Sequence, residues 1–165
     1  SRAPAIAYEA LQCHGGNGFI EENPMARIYR EAPLNSVWEG SANMMCMDVR
    51  RSLRKDPATQ DAFMAEVSAV KGMDRRFDAY LEVLQPLIQA AMDDEFLARP
   101  ACEAMARAVQ GVELLRHSST DVVDAFMSTR LNAQAAGWGS TLGSLGASVS
   151  RAQASRIVDR ARVAC

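Results

Sequence analysis

The spacing of apolar residues constrains the fold of this chain more than any other feature. One run places large apolar residues at the steps i, i+4, i+7 and i+11, which puts them on one face of an amphipathic helix. Its members are Phe77, Leu81, Leu84 and Ile88. No stretch alternates apolar and polar residues over the length of a strand, and no Asn-Gly or Asp-Gly turn separates two such stretches. We therefore predict an all-α fold, a helical bundle.

Glycine and proline divide the N-terminal part of the chain into predicted helices. A helix over residues 4–13 should end at Gly15-Gly16, because paired glycines continue a helix only at a cost. Asn23 and Pro24 then have the residue types favoured at an N-cap and at the first helical position. A short helix is expected to follow them and to end near Pro33.

The rest of the chain reads as further helices. Ser41 could cap a helix that Asp56-Pro57 ends, and Pro86 should kink or break the amphipathic helix near Gln85. Further predictions are a helix over about 100–116 with Met105, Val109 and Val112 on its apolar face, a helix capped by Ser119 or Thr120, a loop over 137–143, and a last helix over about 147–163 with Ile157, Val158 and Ala161 on one side.

Composition excludes several classes of protein. Hydrophobic residues make up 48% and charged residues 23% of the 165 residues, which excludes intrinsic disorder. A net charge of −2 disfavours a strongly basic nucleic-acid module. No uncharged apolar run approaches the roughly 20 residues of a membrane helix, and no signal peptide is evident at the start of the sequence.

Cysteine and histidine spacing argues against a metal site. The four cysteines form no C-x-x-C pair, and His14 and His117 lie far apart. We expect a reduced, cytoplasmic chain with no structural zinc. The cysteines are Cys13, Cys46, Cys102 and Cys165.

Two features within residues 12–43 could carry chemistry. Glycines at 15, 16 and 18 would leave a bare backbone that a phosphate or flavin can approach, although an ordinary helix stop looks the same. Glu39 follows Trp38, and if the indole excludes water the pKa of the carboxyl rises and it becomes a better base. The alternative is an ordinary glutamate near a helix start, where negative charge is favourable anyway.

Taken together, this segment resembles the C-terminal helical domain of the acyl-CoA dehydrogenases. The amino-acid sequence of residues 22–41 resembles that of the adaptive-response branch of the family. The resemblance covers about residues 1–55, so we predict the end of that domain over 1–55 and a helical extension packed on it over 56–165. The matched residues, in order, are Gln12, Gly15, Gly16, Gly18, Phe19, Pro24, the pair Arg30-Glu31, and Glu39-Gly40-Ser41.

The resemblance implies a role for each residue of the second motif. Glu39 would be the general base that removes the α-proton of an acyl-CoA thioester while the β-hydrogen leaves as hydride to FAD. The thioester carbonyl would be held by the backbone N–H of Glu39 and by a ribityl hydroxyl, an arrangement of the oxyanion-hole type. Gly40 would leave room for the acyl chain, and Ser41 would bond the flavin side of the site.

The resemblance also implies an oligomer and a longer parent protein. Gln12, Gly15 and Gly16 match a turn that approaches the FAD of a neighbouring subunit, so a homo-oligomer, a dimer or tetramer, is expected. Arg30 would pair with an acid at the domain surface. Members of the family also have an N-terminal helical domain and a β-domain, so we expect this C-terminal fragment alone to be inactive.

Three residues depart from the family pattern, and two other interpretations stay open. Ala42 stands where the branch usually has glycine, and Arg50 and Arg51 stand where an apolar residue is common, which bears on substrate fit and helix packing. A scaffold that binds duplex DNA is one alternative, because residues 130–162 hold five arginines against one aspartate. A helical interaction module without chemistry is the other.

Overall fold

The computed structural model describes residues 2–131 and 148–162, and every regular element in these ranges is helical. The all-α prediction is therefore confirmed. The helices are α1 (Ala3–Cys13), α2 (Gly16–Phe19), α3 (Pro24–Glu31), α4 (Ala42–Lys55), α5 (Pro57–Ser68), α6 (Arg75–Asp93), α7 (Ala98–His117), α8 (Thr120–Arg130) and α9 (Arg151–Ala161), with 3₁₀ turns at Leu34–Ser36 and Glu95–Leu97.

The chain divides into two compact units, Ser1–Asp48 and Val49–Cys165. The division falls inside α4, a few residues before the boundary between 55 and 56 that we predicted from the resemblance. That domain boundary stays a prediction.

The first unit has a small core of its own. Its buried apolar side chains are Ala7 of α1 and Met25 and Ala26 of α3, and the Tyr8 and Tyr29 rings pack 6.1 Å apart between their centroids. Much apolar surface stays exposed on this unit. The exposed large apolar residues are Ile6, Tyr8, Phe19, Ile20, Ile28, Tyr29, Leu34, Val37, Trp38, Met44 and Met45.

The second unit has an extensive core built on α6. Every residue of its predicted apolar face is buried, so that face is confirmed. Core partners come from α4, α5, α7 and α8, because each of these helices turns an apolar stripe toward α6. The principal partners are Leu53, Val67, Val70, Ala108, Val112, Met127 and Leu131.

One glycine allows α6 and α7 to pack closely. A Cβ added to Gly111 of α7 would lie 2.6 Å from Cε2 and 2.9 Å from Cδ2 of Phe77. Phe77 is fully buried, so its ring has no open space into which to move. The absence of a side chain at position 111 is therefore a packing requirement.

Pro86 does not interrupt α6. The helix is continuous from Arg75 to Asp93, so a break near Gln85 is wrong. Proline removes one N–H that would bond the carbonyl of Glu82, but both residues are exposed and water can satisfy that carbonyl. Leu84 and Ile88, buried on either side, hold the helix against the core.

Side chains cap several helix ends. The helix α4 ends before Asp56-Pro57, as predicted. Asp56 is the N-cap of α5, and its carboxylate accepts from the Ala58 N–H at 3.0 Å. Arg50 donates through Nε to the Ala91 carbonyl at 2.8 Å and through Nη2 to the Met92 carbonyl at 3.0 Å. These carbonyls belong to the last turn of α6, where a cation is favourable. The departure at position 50 thus has a structural role.

The last helix is anchored by polar contacts rather than by its predicted apolar face. It runs from Arg151 to Ala161, and Val158, on its predicted apolar side, is 55% exposed. Gln153 is buried instead, and its Nε2 donates to the Asp121 carbonyl at 2.9 Å and to Asp124 Oδ2 at 3.1 Å. The predicted loop at 137–143 lies outside the described residues.

Within the ranges that the structure describes, three further kinds of feature are absent. No helix there is long and apolar enough to cross a membrane. No group of three or more potential metal ligands occurs there. Cys13, Cys46 and Cys102 form no disulfide.

Candidate functional site

The glycine turn between α1 and α2 has an open, exposed backbone at its start. Gly15 adopts a φ of +57° and its N–H donates to the Gln12 carbonyl at 3.0 Å. A Cβ on Gly15 or Gly16 would meet no atom within 4 Å. The backbone at these two positions is therefore accessible to a group that approaches from outside.

Gly18 is a glycine for a different reason. It is buried, and a Cβ there would lie 2.3 Å from the Leu11 carbonyl oxygen and 3.1 Å from the His14 Cβ. The contact is with backbone, which cannot move away as a flexible side chain can. Packing of α2 against the end of α1 therefore requires glycine here, whatever the turn binds.

Gln12 lies on the exposed side of the same turn. Its Nε2 donates to the Tyr8 hydroxyl at 3.2 Å, within the length of a side-chain hydrogen bond. The neighbouring Phe19 is 78% exposed. This surface therefore combines an amide, two bare glycines and an uncovered aromatic ring.

The second predicted motif forms the turn that leads into α4. Gly40 has a φ of +113°, a conformation that favours glycine, and the Ser41 carbonyl accepts from the Met45 N–H at 3.1 Å. Glu39 is exposed, and among the described residues its backbone N–H donates to no acceptor. The turn thus presents a carboxylate and an unpaired N–H donor at one residue.

Trp38 does not shield Glu39 within the described part of the chain. The indole is 64% exposed, and its Nε1–H donates to Asn35 Oδ1 at 3.2 Å. The indole therefore does not exclude water from the Glu39 side chain in the described part of the chain. The two motifs lie in the same unit, but no hydrogen bond or ion pair among described residues joins them.

Arg30 pairs with an acid, as the resemblance implied. Its guanidinium makes a two-pronged contact with Glu21, with Nη2 3.0 Å from Oε2 and Nη1 on Oε1. The hydrogen bonds from Arg30 hold the pKa of the Glu21 carboxyl below its ordinary value. Glu31, which follows Arg30 in the sequence, lies 4.0 Å from Arg27 instead.

The arginines of the C-terminal helix have partners within the chain. Arg156 donates to both carboxylate oxygens of Asp121 at 2.6 Å, and these bonds hold the pKa of Asp121 below its ordinary value. Arg160 donates to the Ser118 hydroxyl at 2.7 Å. These contacts fasten α9 to the start of α8, so the two side chains already have a structural role.

Sequence reasoning missed a polar network and a groove in the second unit. Arg76 lies 2.7 Å from Asp74 and 2.6 Å from Asp124, and its hydrogen bonds hold the pKa of both carboxyls below their ordinary values. Beside it, a groove of about 910 Å³ is lined by residues of α6, α7 and α8. A signal for it exists in the sequence, because Arg99, Glu103 and Arg107 recur every four residues on α7.

Comparison with known proteins identifies the family. Residues 2–54 match the family described as acyl-CoA dehydrogenase, C-terminal domain. This chain therefore belongs to the acyl-CoA dehydrogenases, and its residues 2–54 match their C-terminal domain. Within the family it is AidB-like, because it is 35% identical over 129 residues to AidB of Escherichia coli (strain K12). AidB is itself named as an acyl-CoA dehydrogenase, an assignment that its name marks as provisional. That similarity extends well beyond residue 54, into the second unit.

Other relatives agree with this assignment. Acyl-CoA dehydrogenase family member 11 of Caenorhabditis elegans is 26% identical over 110 residues, covering 67% of this chain and 18% of that protein. Mitochondrial isovaleryl-CoA dehydrogenase of Oryza sativa subsp. japonica is 40% identical over 55 residues, 33% of this chain and 13% of the enzyme. The match to AidB covers 78% of this chain and 23% of AidB. The chain thus spans less than a quarter of each of these relatives.

Proposed function

We propose that this chain supplies the catalytic base and part of the flavin site of an FAD-dependent acyl-CoA dehydrogenase. The observation that carries the proposal is the turn Glu39-Gly40-Ser41. It lies inside the family-matched segment and presents an exposed carboxylate together with an unpaired backbone N–H. The proposed activity is α,β-dehydrogenation of an acyl-CoA thioester.

The residues present fit a flavin. Gly15 and Gly16 offer a backbone that no side chain covers, and Gln12 lies beside them. Ser41 is exposed, and its hydroxyl has no partner among the described residues. When bound, FAD would supply the acceptor for the β-hydrogen, which leaves the substrate as hydride.

Glu39 would remove the α-proton. A thioester α-proton is only weakly acidic, so the base works if the negative charge that develops on the carbonyl oxygen is stabilised as it forms. The Glu39 N–H is available to donate to that oxygen. Gly40 carries no side chain that would occupy the path of the acyl chain. Because Glu39 is exposed on this unit, the exclusion of water would come from the substrate and from the rest of the parent protein.

The uncovered apolar surface of the first unit supports a larger assembly. Val37 is 68% exposed and Phe19 is 78% exposed, on a unit with three buried apolar side chains. Patches of this kind mark protein interfaces. We propose that other parts of the parent and a second subunit of a homo-oligomer, a dimer or tetramer, cover them. The isolated chain would then neither hold FAD tightly nor turn over substrate, and the parent would act in the cytoplasm.

The role of Glu39 can be tested in the full-length parent. The Glu39→Gln variant should bind FAD normally but should lose bleaching of the flavin absorption by a short branched acyl-CoA, because an amide cannot accept the α-proton. Glu22→Gln is the matched control, since Glu22 is an exposed acid on the same unit and lies outside both motifs. Undiminished bleaching in Glu39→Gln would remove Glu39 from the mechanism.

Among the described residues of the arginine-rich tail, the contacts do not favour duplex DNA binding. Arg156 and Arg160 are engaged with Asp121 and Ser118, as described above. Phosphate contacts make affinity fall steeply with salt. A salt-titrated binding assay on the parent would therefore reveal this activity as tight binding that weakens with added salt.

A further inference from the structure

The groove in the second unit has the dimensions and the lining of a small-molecule site. Its volume of about 910 Å³ falls within the range of about 300–1,000 Å³ that is typical of ligand pockets. Its walls are mostly apolar. They are formed by Val83, Leu84 and Leu87 of α6, Met127 of α8, and Leu131 at the end of α8.

The charged side chains of the groove are mostly cations. Arg76, Arg99, Arg107 and Arg130 line it, against the one carboxylate of Glu103. Arg76 is neutralised by Asp74 and Asp124, and Arg107 lies 2.5 Å from Glu103. Arg99 is exposed in the first turn of α7 and has no hydrogen-bond or ion-pair partner within residues 2–131 and 148–162. Arg130 has a partner of its own, and Arg107 keeps one unpaired donor, its buried Nε. Among the groove cations, Arg99 is therefore the one whose whole guanidinium has no partner among the described residues.

Two other polar side chains of the lining already have partners, whereas the Ser148 hydroxyl has none among the described residues. The Tyr80 hydroxyl donates to the Ala104 carbonyl at 3.0 Å, and the Ser128 hydroxyl donates to the Asp124 carbonyl at 2.8 Å. A ligand rich in hydrogen-bond donors and acceptors, such as a nucleotide, would find few polar groups in the lining with which to form hydrogen bonds. An apolar chain with a single negative head would match both the walls and the available cation.

We propose that this groove binds an amphipathic monocarboxylate of the fatty-acid type. The alkyl chain lies along Ala79, Val83 and Leu87 of α6, and the carboxylate pairs with Arg99. The proposal does not depend on Glu39, which lies in the first unit, so it stands or falls independently of the dehydrogenase activity.

A chain-length series tests the apolar part of the proposal. The probes are octanoate, decanoate and dodecanoate below their critical micelle concentrations, measured by calorimetry on the 165-residue chain. We expect saturable binding whose dissociation constant falls about fourfold for each added methylene. Dodecanol, with the same tail and no charge, should bind about tenfold more weakly than dodecanoate. Equal binding of the alcohol, or no dependence on chain length, would overturn the proposal.

Two variants with matched controls locate the ligand. Arg99→Gln should weaken dodecanoate binding about tenfold, whereas Arg75→Gln, an exposed first-turn arginine of α6 outside the lining, should leave it unchanged. Val83→Asp should abolish binding by adding a carboxylate to the wall, whereas Val158→Asp should not. Val83 and Val158 are 59% and 55% exposed, so both variants should fold, which far-UV circular dichroism verifies.

The outcomes separate the groove from other sites. Glu39→Gln should retain full dodecanoate binding, because the proposed groove does not include that residue. Binding that Arg99→Gln and Val83→Asp leave intact would place the ligand elsewhere and refute the assignment. Absence of saturable binding by all three carboxylates would refute it as well.

Discussion

Replacing Gly111 by alanine tests the tightest contact in the core. The new methyl group would lie 2.6 Å from the Phe77 ring. Contacts of Cβ atoms with other heavy atoms are essentially never shorter than 3.0 Å. Because Phe77 is fully buried, the ring or the helix must shift, and overpacking of this kind costs about 1–3 kcal/mol. Alanine also gains about 1 kcal/mol over glycine in a helix interior. The difference of these two terms predicts a net loss of up to about 2 kcal/mol in the free energy of unfolding.

Urea denaturation followed by circular dichroism measures this change. Ala106→Gly, at an exposed position of the same helix, calibrates the propensity difference and should cost about 1 kcal/mol. In a Phe77→Leu background the penalty of Gly111→Ala should shrink or change sign, because the smaller side chain leaves room for the methyl group. If Gly111→Ala alone stabilises the protein by about 1 kcal/mol, the packing argument is wrong.

Two further predictions concern the N-cap of α6 and the stability of the α9 attachment at low pH. Asp74→Ala should lower the free energy of unfolding by about 1 kcal/mol in the same urea assay, because Asp74 accepts from the Arg76 and Phe77 N–H groups at the start of α6, whereas Asp74→Asn should cost much less. The attachment of α9 should weaken in acid, since the pKa values of Asp121 and Asp124 are lower in the folded protein than in the unfolded chain. Their contribution is complete above pH of about 4 and is lost as the pH falls through the lower folded values. Hydrogen exchange of α9 amides, corrected for intrinsic rates, should then accelerate at low pH, and pH-independent protection would contradict the linkage.

Periodicity and punctuation predicted the helical elements well. The buried face of α6 and the junction at Asp56-Pro57 depend on local spacing and on backbone chemistry, which a sequence displays directly. Of the kink or break predicted near Gln85, the break is absent, because an exposed proline between buried neighbours is tolerated when the core holds both halves of the helix. Propensity alone does not include that tertiary contribution.

The anchoring of α9 could not be predicted in the same way. Its one buried side chain is Gln153, which finds acceptors on α8 some thirty residues away in the sequence. An apolar period cannot identify a polar residue that becomes buried because distant partners satisfy it. The same reason hid the groove, whose lining comes from three separate helices.

The candidate site is a prediction from motif identity rather than from local physics. The open backbone at Gly15 and Gly16 and the positive φ of Gly40 agree with the resemblance. The exposure of Trp38 and Glu39 could not be anticipated, because shielding depends on which parts of a protein lie against them.

The steric demand at Gly18 has a consequence for how this motif diverges over evolution. Under the proposed function, a descendant that no longer bound a flavin could accept alanine or serine at position 16, where a methyl group meets open space. It would still have to retain glycine at position 18, where the main chain of Leu11 leaves no room. Retention of glycine at position 18 would then indicate only that the scaffold is conserved. Loss of glycine at position 16 would be the change that indicates loss of the ligand.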